Sequence, residues 1–333
     1  MLTNASHNVT SEGLIESCFQ TYVVRKSTTF YIINSVVGCV VNAILAVLGT
    51  FLNALVVCVF WKTPMLQQKV SYFMIMVLSC VDLCASIIVH PFYLVNSIAE
   101  ITETSKCFYK MFYQTSAVML SGMSYLTFFV MNIERYLSIV YPFYHQVHVT
   151  RRRCLFFSSL LWLVCIVTGI APVFQLDIQH FVTVLALIVL IGTFFIYVSI
   201  YYVARRRKHF GHSTTRQGVH ETEVHVTHVT EPEEPARGRP EHSKKAVSFL
   251  HDLVLAKMYL IVVASSFLLN LPNAIVLALY SDRVKTLDGV VQVKIWTLTL
   301  VSMNSTANCI IFFWANKKLR SEGWKICKQF FNL

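Results

Sequence analysis

Seven runs almost free of charge punctuate this chain, at about residues 30–61, 70–96, 111–133, 154–174, 181–204, 258–280 and 295–315. Each is near or above the ~20 residues an α-helix needs to cross the hydrocarbon of a bilayer. Their Leu, Ile, Val and Phe run on continuously, where a transmembrane β-barrel would show shorter segments with dyad alternation. The pattern predicts an all-α bundle of seven transmembrane helices over residues 30–315. A composition of 55% hydrophobic and 14% charged residues, with a mean hydropathy of +0.57, excludes an ordinary soluble domain.

The polar segments set orientation. With the N-terminus outside and the C-terminus inside, the 28 Lys and Arg divide into seven outside (Arg25, Lys26, Lys106, Lys110, Arg283, Lys285, Lys294) and the remaining 21 inside. That follows the positive-inside rule. Most of the net +11 charge then faces anionic inner-leaflet lipid, and no nucleic-acid partner is implied. Residues 1–29 form an extracellular N-terminal segment with sequons at Asn4 and Asn8, expected to carry glycans. The first dozen residues are polar and lack the apolar core of a signal peptide, so the first span is expected to do the targeting. Residues 205–248, rich in Thr, His, Glu, Arg and Pro, predict a largely disordered third cytoplasmic loop. Residues 316–333 predict a short amphipathic eighth helix on the inner membrane surface and a short tail, with Cys327 a palmitoylation candidate. Of ten cysteines only Cys18 and Cys107 face outside, where one disulfide is expected.

Polar side chains inside the spans are costly and mark function. Asp82 lies deep in the second run, and Asn53, Ser124, Asn304, Ser305 and Asn308 fall near the same depth. Ser124 precedes Arg135 by about 16 Å of helix, nearer the bilayer middle. Residues 111–133 carry no charge and are followed at once by Glu134 and Arg135. No nucleophile, base and metal set converges, so no enzyme is expected.

The chain resembles the rhodopsin-like (class A) G-protein-coupled receptors from about residue 30 to 330. The resemblance rests on one motif per span in order: Asn53; Leu78 and Asp82; Glu134-Arg135-Tyr136 with Pro142-Phe143 following; Trp162; Tyr197 and Arg205; Pro272; Asn304-Ser305 with Asn308 and Phe312. It implies an extracellular ligand, a heterotrimeric G-protein partner with arrestin as a further one, and plasma-membrane localisation. Asp82, Ser124, Asn304, Ser305 and Asn308 would line an allosteric sodium pocket, with no other cofactor. Arg135 would face the G protein, and an acid at the position of Asp252 would bridge to it in the inactive state. Asp252 lies about 30 Å of helix before Pro272, at the same inner boundary.

The departures are specific. Asn270 stands where the family carries a toggle tryptophan, Cys309 and Phe312 replace a helix-seven proline and tyrosine, Val189 replaces a helix-five proline, and the second outer loop has no cysteine. The last two resemble the melanocortin and lysolipid branch. Ala117 occupies the aspartate position of amine receptors and Ser302 the retinal-lysine position, disfavouring both ligands. Tyr113, Gln114, Ala117, Ser121, Asn270, Asn273, Lys294 and Trp296 remain as the expected pocket, and with Lys110 they suit a lipid-like amphiphile with an anionic head or a peptide. The alternatives are a non-signalling partner or decoy receptor, and a secondary transporter, which the lack of a half-chain repeat disfavours.

Overall fold

A computed structural model describes residues 8–10, 13–18, 21–174, 176, 179–220, 260–273, 275–276 and 295–331. Its helices are α1 (Thr29–Lys62), α2 (Pro64–Gln67), α3 (Val70–Ile101), α4 (Cys107–Val140), α5 (Pro142–His148), α6 (Arg151–Ile170), α7 (Gln179–His220), α8 (Leu260–Asn273), α9 (Trp296–Ala315) and α10 (Lys317–Phe331). Six of them are long and apolar enough to cross a membrane, and the shorter apolar α8 occupies the sixth run. Observed limits extend the second run to Ile101 and the third from Cys107 to Val140. The flanking polar residues continue a helix that the apolar stretch has already nucleated.

The short helices α2 and α5 open on Pro64 and Pro142, whose missing N–H is harmless in a first turn. The fourth run ends earlier than its hydropathy implies, at Ile170, and passes through a 3₁₀ turn at Ala171–Phe174. The fifth corrects an expectation. Helix α7 continues to His220, into the stretch read as largely disordered. No proline interrupts it before Pro232, and straight-chain Arg and Lys sustain a helix once it exists.

The N-terminal segment carries a second surprise, a three-stranded antiparallel sheet in the order β1 (Asn8–Thr10), β2 (Gly13–Cys18), β3 (Thr21–Lys26). Two-residue connections join its strands, since Thr10 pairs with Gly13 and Cys18 with Thr21. Val23 and Val24 are buried, and β3 packs on α3 and α4.

Helix α3 is the most enclosed of the spans and packs on α1, α4 and α9. The inner half of the bundle closes on Met74, Ile75, Leu78, Met131 and Phe312. At Gly49 the α1 backbone meets the Ser86 and Thr306 hydroxyls so closely that an added Cβ would collide with Ser86. Glycine there lets three helices converge above Asp82.

Candidate functional site

At the inner end of α4, Arg135 is only 2% exposed. Its Nε donates to Glu134 Oε2 and its Nη2 to Glu134 Oε1, each at 2.7 Å. Two parallel charge-assisted bonds hold the guanidinium along its own helix. Glu134 is shared further: Ser71 Oγ on α3 donates to Oε1 at 3.3 Å, and His145 Nε2 on α5 lies 2.9 Å from the same oxygen. The acid therefore ties α3, α4 and α5 together around Arg135. Tyr136, beside it, stacks edge-on against Tyr141 with ring centroids 5.9 Å apart. Pro142 opens α5, and Phe143 on that helix is 85% exposed. Tyr197 OH donates to Asn132 Oδ1 on α4 at 3.0 Å. Asp252 lies outside the described residues.

In the middle of the bundle Asn308 Nδ2 donates to Asp82 Oδ2 at 3.0 Å, and Ser124 and Ser305 face the same carboxylate. Asp82 Oδ1, Ser124 Oγ, Thr306 Oγ1 and Asn308 Oδ1 are buried without a hydrogen-bond partner. Oxygens grouped at a buried carboxylate are the kind of donor that hard cations take. Asn304 departs from the expected ring, because its Oδ1 accepts from Ser266 Oγ on α8 at 2.7 Å. Asn53 Nδ2 donates to Gly49 O, and its Oδ1 accepts from Cys309 Sγ at 2.7 Å. Cys309 thus fastens α9 to α1 where the family places a proline.

The outer mouth differs most from expectation. Tyr113 is 3% exposed and packs edge-on against Tyr93 between α3 and α4, so it belongs to the core and does not line an open pocket. Trp296 turns to α1, its Nε1 donating to Asn34 Oδ1 at 3.2 Å. Lys110 is paired: its Nζ lies 2.9 Å from Glu100 Oε1. Tyr31 OH also donates to Glu100, and Ser27 Oγ donates to the Glu100 carbonyl at 3.0 Å. A cation whose partner is a buried carboxylate is not free to receive an anionic head group. Lys294 lies outside the described residues, while Gln114, Ala117, Ser121, Asn270 and Asn273 are half-buried.

Sequence reading missed the Glu100 cluster and a second one below it. His90 Nδ1 lies 2.9 Å from Asn42 Oδ1, and Asn42 Nδ2 donates to Gly38 O and Thr299 Oγ1. Both amide hydrogens being spent, Asn42 Oδ1 accepts and His90 Nδ1 is the donor. The signal was present as spacing. Ser79, Asp82, Ser86, His90, Tyr93, Ser97 and Glu100 fall three or four apart on α3, one buried polar stripe from the inner half to the outer mouth.

Cys107 is disulfide-bonded. Cys39, Cys58, Cys80, Cys84, Cys154, Cys165, Cys309 and Cys327 are free, and the side chain of Cys18 lies outside the described residues. Asn4 is also outside them, as is the side chain of Asn8.

The family model "7 transmembrane receptor (rhodopsin family)" matches residues 52–182, the stretch that holds Asp82 and Glu134-Arg135. Over that stretch the chain is similar to the rhodopsin-family seven-transmembrane receptors. A curated relative, the alpha-1A adrenergic receptor of Oryzias latipes, is 25% identical over 280 residues. The match covers 76% of this chain and 58% of that relative, so the chain spans little more than half the relative's length. The similarity agrees with the six helices long and apolar enough to cross a membrane. Neither match distinguishes the melanocortin and lysolipid branch.

Proposed function

We propose that this receptor sits in the plasma membrane, binds an extracellular ligand and activates a heterotrimeric G protein through Arg135. The observation that carries the reading is the buried Arg135–Glu134 pair at the inner end of α4, supported by Ser71 and His145. A guanidinium held in reserve at that boundary becomes available when a neighbouring helix moves. Asp252 supplies the second carboxylate of the lock, and phosphorylated intracellular segments would recruit arrestin. At Asp82 a sodium ion, bound with Ser124, Ser305 and Asn308, favours the inactive state by its differential affinity. Cys18 is the disulfide partner of Cys107, tying the N-terminal sheet to α4; Asn4 and Asn8 carry glycans, and Cys327 carries a palmitoyl chain beside inner-leaflet lipid.

Ala117 argues against a cationic amine, whatever the name of the matched relative. With Lys110 spent on Glu100, the described residues of the mouth offer Gln114, Ser121, Asn270 and Asn273, uncharged groups that both donate and accept. They fit a lipid-like amphiphile or peptide recognised through amide or hydroxyl groups.

Asp252→Ala is expected to raise ligand-free G-protein dissociation, and Arg135→Ala to abolish coupling while surface expression persists. Unchanged basal activity in the first, at matched expression, would remove the lock. Phe312 has no hydroxyl to offer Tyr197, which supports the alternative of a non-signalling partner; surface-expressed protein that activates no G protein in any variant would favour it.

A further inference from the structure

Ser266 Oγ on α8 donates to Asn304 Oδ1 on α9 at 2.7 Å, and the two residues are 4% and 9% exposed. One turn along α9, Asn308 holds the Asp82 carboxylate. The bond therefore ties the sixth span to the helix that carries the buried acid. Around the same point α8 is weak. Asn270 Nδ2 donates to the Ser266 carbonyl at 2.7 Å, competing with the helix's own N–H. Two residues on, Pro272 has no N–H for the carbonyl of Leu268. Ser266 also lines a narrow cleft between α4, α7 and α8, with Tyr125, Val189, Thr193 and Val263. Here a hinge-prone helix beside a cleft carries a directional bond to its neighbour.

We propose that Ser266 is the positioning residue that passes the state of the Asp82 pocket to α8, acting as a polar latch on Asn304. The inference rests on the receptor reading and adds its regulation. While the pocket holds Asn308 and α9 in place, Asn304 presents its oxygen to Ser266 and α8 stays inward. Outward movement of α8 strands a buried hydroxyl and a buried amide oxygen, so the bond biases the receptor toward rest.

Thr and Val have nearly the same shape and differ by the hydroxyl, so Ser266→Thr and Ser266→Val separate the bond from packing. In full-length receptor at matched surface expression, Ser266→Val is expected to raise ligand-free G-protein dissociation about three- to tenfold, as loss of one ordinary hydrogen bond does in a two-state equilibrium. Ser266→Thr is expected to keep the parental level. In an Asp82→Asn background the valine substitution should add little, because the two residues act in series. A second readout needs no G protein. Purified receptor in nanodiscs is heated in sodium chloride and in choline chloride, and sodium-dependent stabilisation should persist in Ser266→Thr and shrink in Ser266→Val. Equal behaviour of the two variants, or full additivity with Asp82→Asn, overturns the latch. A parent receptor indifferent to sodium overturns the ion reading and the latch's link to it. Signalling unaffected by Arg135→Ala overturns the receptor reading alone, leaving the thermal comparison to judge the latch.

Discussion

Glu134 accepts from three directions, and its removal tests more than one pair. Glu134→Gln keeps the shape but withdraws the charge that Arg135 and His145 share. Removing one partner of a buried ion pair costs about 3–5 kcal/mol because the other charge is left uncompensated. Arg135 would then seek another carboxylate or the aqueous boundary, so ligand-free signalling should rise several-fold, read as G-protein dissociation at matched surface expression; a fall to the untransfected level would contradict the lock. Tyr197→Phe addresses a departure from the family. Its hydroxyl is committed to Asn132 here, so the variant should release an inactive-state contact and raise basal activity about three- to tenfold, the effect of one neutral hydrogen bond. Adjacency of Glu134 and Arg135 made half of this site readable in the chain itself. His145 and Ser71 were not readable, since their approach depends on how α5 and α3 pack and no local spacing encodes it. Asp82 and Asn308 were legible as polar residues at one depth, whereas the turn of Asn304 toward Ser266 depends on α8.

The elements differ in how much of their stability is local. Asn316 illustrates a local device: its Oδ1 accepts from the backbone N–H of Lys318 and Leu319, each at 3.1 Å, capping α10, while its Nδ2 donates to Tyr72 OH on α3. Asn316→Ala should lose about 1 kcal/mol of cap energy. Hydrogen exchange should show faster labelling of the first turn of α10 and little change in α9; unchanged protection would contradict the cap. The outer ends depend on long-range pairing. Lys110→Met leaves Glu100 buried without its cation, with an expected cost of about 3–5 kcal/mol, and should lower the thermal midpoint of purified receptor. A variant as stable as the parent but altered in ligand response would return Lys110 to the binding pocket. Helix existence was legible from apolar runs because crossing a bilayer leaves few alternatives. The β1–β3 sheet was not, since three short strands in a polar segment carry little apolar pattern. The continuation of α7 to His220 was also hidden, because charged residues in a composition typical of loops still propagate a helix that began in the membrane.

At the scale of the molecule, three of the polar layers along α3 mark its outer end, middle and inner end: the Glu100 cluster, Asp82, and Ser71 with Glu134 and Arg135. A rigid α3 crossing all three gives a displaced outer helix a path to the inner face. The N-terminal sheet leans on the same outer layer, with Ser27 donating to Glu103 Oε1 at 3.3 Å and to the Glu100 carbonyl. Peptide mapping without reduction should recover Cys18 joined to Cys107; both found as free thiols would release the sheet from α4. The central claim, that the buried arginine is what the G protein engages, is tested most directly by ligand-free G-protein dissociation in Glu134→Gln and in Glu134→Gln/Arg135→Ala, at matched surface expression and across the G-protein classes. The account predicts elevated dissociation with at least one class in the single variant and none in the double. Elevated dissociation that survives loss of Arg135 would contradict it.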